Sequence, residues 1–296
     1  MPKAKLTISI DLELAWGYWD ILTPEHLRMA ETAERPICAA LIDLFDRHEI
    51  RATWAIVAAL LDEDSAKSRP GSTKCWHAPD IIERLVGART RHEIGSHSGK
   101  HVYFGEITAA QAREDLDYMR AVHRANDLPH RSFVYPRNVI GHMDLVAQAG
   151  LHTFRGPDVG WGRASGPTAR AVNLAHQLLP IPPSAAFAQK RGPLIDIPGS
   201  MLLMGRNGAR RFVLPWVTRA KLRAGLARAC RSGGTFHLWF HPSNFYYRTE
   251  EQVDTLAWFL EHAADEAGRG RIEIRTIGDY ADDPTGAIST ASVLLQ

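Results

Sequence analysis

Hydrophobic and polar positions alternate from Lys5 to Glu13, with Leu6, Ile8, Ile10 and Leu12 in one set and Thr7, Ser9, Asp11 and Glu13 in the other. A period of two predicts a strand with one apolar face, the other face ending in two acids. After Pro24, the segment ERPICAALIDLFDRH has helical periodicity, and RATWAIVAALL then reads as a buried strand running into a short helical or loop segment. These elements begin a βαβ unit. The alternation continues with a helix from Pro79 to Arg89, a strand at HEIGSH and a helix opened by the capping pattern Thr108 to Gln111. It goes on through a strand at RSFVYP, a helix at HMDLVAQAG closed by Gly150 and a strand at LHTFR. Farther along come a helix from Arg219 to Cys230, the strand GTFHLWFH, a helix capped by Thr249 and Gln252, and the strand RIEIRTI. Residues 156–192 are rich in Pro, Gly and Ala and read as an insertion over a site.

About seven strands alternating with helices, and no compositional break, predict one α/β domain over residues 1–296, either barrel-like or doubly wound. In both architectures the chemistry gathers at the C-terminal ends of the strands. Composition changes this picture little. The formal charge of +2 offers no broad field for nucleic acid or an anionic membrane, although local basic clusters stay open. Cys38, Cys75 and Cys230 lie far apart without a CxxC pair, which fits a reducing compartment and argues against a thiolate zinc site. No apolar leader precedes the first strand and no stretch reaches the ~18–20 apolar residues of a membrane span, so the expectation is a cytoplasmic protein.

Four strand ends carry chemically capable groups. Asp11 and Glu13 end the first strand, His97 ends the third, Pro136-Arg137-Asn138 follow the fourth, and His241 ends GTFHLWFH. With 14 histidines in 296 positions, an HxxxH pair is weak evidence by itself, and there are two: His97/His101 and His237/His241. Along a strand, residues four apart are separated by ~13 Å and cannot share an ion. In a turn their Cβ atoms come within ~5–6 Å, and Ser98, Gly99 and Lys100 permit such a turn. His97 and His101 are therefore either metal ligands or a solvated loop pair. Asp11 and Glu13 lie ~6.6 Å apart on one face. They are either a structural salt-bridge site or a divided pair, one carboxylate joining the histidines around a metal and the other acting as base. His241, held extended by Pro242, is either a satisfied core histidine or a general acid at the mouth of the sheet. Arg137 is either a surface charge or the group that holds a carboxylate base ionised. Trp16, Gly17 and Asn244 lie beyond strand ends, where an aromatic residue could stack against a sugar ring.

In order and spacing, SIDLELAWG, HEIGSHSGKH, SFVYPRN and HLWFHP resemble the motifs of the polysaccharide deacetylase (NodB-homology) superfamily, carbohydrate esterase family four. The likeness is nearest to the branch with D-x-E-L-x-W-G and P-R-N. It implies a distorted (β/α)-barrel of about seven strands and one divalent metal, most often Zn2+. It further implies Asp11 as base, Glu13, His97 and His101 as metal ligands, and His241 as general acid; proximity alone places Arg137 beside the base, and Trp16, Gly17, Asn138 and Asn244 are expected toward substrate from their places beyond strand ends. The sequence departs from the usual pattern in two places. The second acid is Glu13, two residues past the base, and Val134 stands where the family's arginine precedes its proline, with Arg137 following Pro136. The activity implied is removal of an N-acyl group, acetyl or formyl, from an amino sugar on a nucleotide- or lipid-linked precursor. A metal amidohydrolase of small cyclic amides or imides, or a non-catalytic metal- or glycan-binding relative, stays open. No nucleic-acid partner is expected, and association into homo-oligomers stays open.

Overall fold

The computed structural model describes residues 3–159 and 178–282. The first strand, β1 (Ala4–Leu12), is buried along its whole length because both of its faces are covered. On one side Leu6, Ile8, Ile10 and Leu12 pack against helices, in a cluster with Leu41 and Phe45 of α2 (Glu34–His48) and Leu256 and Phe259 of the last helix. The other side faces the interior of a curled sheet. There Thr7 and Thr235 each lie 3.1 Å from the Tyr280 hydroxyl, and Ser9 lies 3.0 Å from His237 Nε2. The polar face expected on β1 is thus an internal column of hydrogen-bonded groups, as burial requires.

The βα alternation follows the expected order. Thr53–Ile56 form β2, Pro79–Val86 a helix, and Glu93–Ser96 form β3. A capping box of Thr108 and Gln111 opens α5 (Ala109–Ala125), after α1 (Pro24–Thr32), α2, α3 (Glu63–Lys67) and α4, the Pro79–Val86 helix. Ser132–Val134 form β4, Met143–Gln148 form α6 and Thr153–Gly156 form β5. Past the undescribed residues come a hairpin, β6 (Gln189–Arg191) and β7 (Leu194–Pro198), then β8 (Met201–Leu202). The chain continues with α7 (Pro215–Ser232), β9 (Thr235–Phe240), α8 (Thr249–Gly268) and β10 (Ile272–Ile274).

The sheet order is β6-β7-β5-β4-β3-β2-β1-β9-β8, with β10 beside the start of β1, and all pairings but β6 with β7 are parallel. The run Leu194–Leu202 joins the two sides: β7 pairs with β5, and β8, which begins three residues after β7 ends, pairs with β9. Between them Gly199 N–H donates to the Gly156 carbonyl and Ser200 N–H to the His237 carbonyl. With β7 and β8 counted as one run, about seven staves surround the interior, a distorted (β/α)-barrel. Three details correct the sequence reading. The hairpin and β8 lie in or just after the stretch 156–192 read as an insertion, about half of which (160–177) lies outside the described residues. Thr249 does not cap α8, since Arg248 occupies that position and the Thr249 hydroxyl donates to the Phe245 carbonyl. Glu13 lies past the end of β1, opening the short 3-10 turn Leu14–Tyr18.

Candidate metal centre and catalytic pair

Parallel register brings the strand ends together. Ile10 is level with Phe240, so Asp11 and His241 are neighbours one residue on. Leu12, Ile56 and Ser96 are level, so Glu13 and His97 emerge side by side. Ser96 is level with Phe133, and Val134 with Arg155. Five side chains from four strand ends, Asp11 and Glu13 at β1, His97 at β3, Arg155 at β5 and His241 at β9, therefore converge at the C-terminal mouth, where this fold class concentrates its chemistry.

The histidine turn is held from outside. The carboxylate of Asp115, on α5, accepts the N–H groups of Gly99 and Lys100 at 2.7 and 2.8 Å. Ser98 and His101 both adopt left-handed backbone, with φ of +68° and +58°. The result is that the rings of His97 and His101 stand 5.0 Å apart. Their Nε2 atoms lie 2.7 and 3.1 Å from Oε1 of Glu13. Gly17 permits this approach, because a Cβ there would fall 2.0 Å from Oε2 of Glu13.

These residues fit a divalent cation. Nδ1 of His97 donates to the Val134 carbonyl at 2.7 Å, so in the neutral ring Nε2 presents a lone pair to a carboxylate oxygen. Two lone pairs at that distance repel unless a proton or a cation lies between them, and a backbone partner on the far nitrogen is the usual support of a metal-bound histidine. Nδ1 of His101 is buried with no hydrogen-bond partner among the described residues. The ligand atoms of Glu13, His97 and His101 all lie within 4.8 Å of one another, as do those of Asp11, Glu13 and His241. Two imidazoles and a carboxylate with an open side are a donor set that suits Zn2+.

Asp11 is gripped by Arg155 of β5, whose Nη1 and Nη2 donate to its two oxygens at 2.7 Å each. Both side chains are buried. Burial works against the charge of Asp11, but Arg155 and the neighbouring His97 and His241 outweigh it and lower its pKa. Glu13 is likewise held well below the usual carboxylate range, as His241 and His101 overcome its burial. His241 Nε2 lies 3.6 Å from Asp11 and 3.5 Å from Glu13. Burial disfavours its charge, yet the two carboxylates push its pKa up to about 9. Its Nδ1 donates to Asn244 Oδ1 at 3.4 Å, and its backbone N–H to the same oxygen at 3.0 Å.

Several sequence expectations change here. Arg137 does not touch Asp11: its backbone is left-handed (φ +50°), and its guanidinium pairs with Asp20 at 2.7 Å and lies over Tyr103. Arg155 takes the place expected of it. Trp16 is core, fully buried and edge-on to Trp76, to whose carbonyl it donates at 2.8 Å. Asn244 spends its oxygen on His241, so it orients that ring. Gly17, Arg137, Asn138 and Asn244 do line a cavity of about 530 Å³ over Asp11, Glu13, His101 and His241. His237, the other half of the second HxxxH pair, is inside the barrel on Ser9, apart from both metal-capable clusters. Trp239 was missed as well; it lies over the Arg155 guanidinium at 4.1 Å and donates to Asp158. Its place on the interior face of β9, in step with His237 and His241, was the available signal.

Residues 30–151 match the family model described as polysaccharide deacetylase, a span that holds both histidines of the turn. Over that span the chain is similar to the polysaccharide deacetylase family. Its fold is similar to that of a Mycobacterium smegmatis protein named as a polysaccharide deacetylase (TM-score 0.69, 12% identity, 100% of this chain and 96% of that one). A Pseudomonas aeruginosa PAO1 protein of the same description gives a TM-score of 0.62 at 13% identity, over 94% of this chain and 89% of its own. An allantoinase, PuuE, gives 0.58 at 14% identity over the same shares. Likenesses this remote establish the fold. No curated protein matches.

Proposed function

We propose that this protein is a member of the polysaccharide deacetylase superfamily and a metal-dependent hydrolase that removes an N-acyl group, acetyl or formyl, from an amino sugar carried on a nucleotide or a lipid. The observation that carries the reading is the make-up of the site: Glu13, His97 and His101 converge on one point, and His241 lies 3.5 Å from Glu13 and 3.6 Å from Asp11. When bound, a divalent cation, most simply Zn2+, supplies Lewis-acid polarisation of the acyl oxygen and makes a neighbouring water easier to deprotonate.

The remaining work belongs to the chain. Asp11 removes the proton of the attacking water, and its two bonds from Arg155 keep it ionised and fix its direction. His241 gives a proton from Nε2 to the departing nitrogen, with Asn244 on Nδ1 setting which nitrogen faces the substrate. The cavity wall of Gly17, Tyr18, Asn138 and Trp239 supplies the polar and aromatic groups that orient a sugar. The products are a free amine and a carboxylate.

The purified protein is expected to hold metal close to one equivalent by elemental analysis and to release acetate or formate from N-acylated nucleotide amino sugars. His97→Ala or Glu13→Ala should lose most of that metal together with activity. Full metal content and full activity in either variant would sink the assignment. A second reading, hydrolysis of a small cyclic amide, is favoured by the likeness to the allantoinase fold. Ring opening of allantoin or imides without acyl release from any amino sugar would select it.

A further inference from the structure

Beside the catalytic cavity lies a second, of about 820 Å³, and Leu202, Met204, Asn207 and Trp239 line both. Its other walls include Ile181, Pro182, Leu203 and Val213. The chain around it turns large apolar side chains outward. Phe212, Leu214 and Trp216, alternating around Val213, are 64%, 54% and 57% exposed, and Leu179, two residues from Ile181, is 52% exposed. Scattered exposed apolar residues are ordinary, but a group of them at the mouth of an apolar cavity marks a surface that something covers.

Charge says what. Between Asp196 and Glu250 the sequence contains no acidic residue, while Arg206, Arg211, Arg219, Arg223, Arg228 and Arg231 fall within it. The whole chain is nearly neutral, so the remainder is net acidic and the positive charge is concentrated in this stretch of the chain. The Arg211 guanidinium lies 4.9 Å from the Phe212 ring, and Arg206 ties the loop to α7 by donating to the Val213 carbonyl and to Thr218. Aromatic and aliphatic tips among arginines, on an element with no carboxylate, match the interface of an anionic bilayer, which takes apolar side chains at headgroup depth and attracts basic ones. A protein partner or a second copy would meet the apolar tips equally well, but neither explains the exclusion of acids over this stretch.

We propose that the face around Phe212 to Trp216 docks on anionic membrane surfaces, placing the second cavity at the bilayer and the catalytic cavity above it, where a lipid-linked amino sugar is presented. The choice of lipid-linked over nucleotide-linked substrate rests on the deacylase reading; the docking does not.

The test is co-sedimentation of the full-length protein with vesicles of phosphatidylcholine alone and with about a third phosphatidylglycerol, at low and high salt and without substrate. Binding to the anionic vesicles should be about tenfold tighter or more, and should weaken with salt. Phe212→Ser with Trp216→Ser, and separately Arg211→Glu, should each lower it about tenfold while metal content stays unchanged. Equal binding to both vesicle types, no binding, or wild-type binding by both variants would overturn the proposal. So would a wild-type dimer that Phe212→Ser with Trp216→Ser converts to monomer, since the face would then be a contact between copies. Acyl release from a soluble nucleotide amino sugar tests the deacylase reading separately, so either can fail alone.

Discussion

At the scale of the residue, the decisive contact is the pair between Arg155 and Asp11. Breaking a buried pair leaves its partner charged and unpaired, at a cost of roughly 3–5 kcal/mol when nothing relaxes. Arg155→Met should therefore reduce turnover by about a hundredfold or more and lower the urea midpoint. Arg137→Ala should leave turnover within about threefold, because its partner Asp20 is a part-exposed pair at the cavity rim. Steady-state kinetics on the two variants decides between them, and the reverse ranking would return Arg137 to the base. Asp11, Glu13, His97 and His241 were legible because each stands at or just past a strand end, and His101 because it follows His97 by four residues across a permissive turn. Arg155 was concealed in LHTFR, which reads as an unremarkable short strand. Only strand parity, with Phe154 packed outward beside Phe133 and Arg155 turned inward toward Ser9, distinguishes it.

At the scale of the element, a metal site depends on how firmly its turn is held. Asp115 is not a ligand, but its carboxylate satisfies two N–H groups between the histidines, and Gly99 is so close to it that a Cβ would meet Asp115 Oδ1 at 2.8 Å. Asp115→Ala is expected to lower metal affinity about 10–100-fold, as loss of supporting hydrogen bonds around a metal site does, with helix content retained. Competition with a chelator, read beside far-ultraviolet circular dichroism, measures this; unchanged affinity would show that the turn holds itself. The HxxxH spacing and the permissive Ser-Gly-Lys between were legible, whereas the helix that fixes them was not, since nothing in one sequence pairs Asp115 with a turn 16 residues earlier. Similarly, Thr249 matched the capping pattern of a helix start, and the 3-10 turn Pro242–Phe245 just before it offered the hydroxyl a competing carbonyl.

At the scale of the whole molecule, the βα order and the clustering at one end of the sheet followed from periodicity, and closure did not. The run Leu194–Leu202 that joins β5 to β9 carries too little alternation over too few residues to signal two pairings. Closure has a thermodynamic consequence, because it seals polar groups inside. His237 is fully buried between Ser9 and the Ile197 carbonyl, and burial, with Arg155 nearby, pushes its pKa down to about 3. Burial likewise brings His123, on α5, down to about 4 while its Nδ1 donates to the Pro129 carbonyl. Both folded-state values lie below the ~6.5 of an unfolded histidine, so between them the unfolded chain binds protons that the folded chain does not. Stability is thus fully present above pH ~6.5 and falls as pH drops toward the folded values, by roughly 2 kcal/mol at pH 5 for His123 alone. Urea midpoints measured from pH 7.5 to pH 5 should decline steadily, and His123→Asn should flatten that decline even if it lowers the midpoint at pH 7.5. A profile in which the variant and the wild type fall in parallel would mean that His123 takes up its proton without unfolding, and that the acid sensitivity arises elsewhere in the barrel.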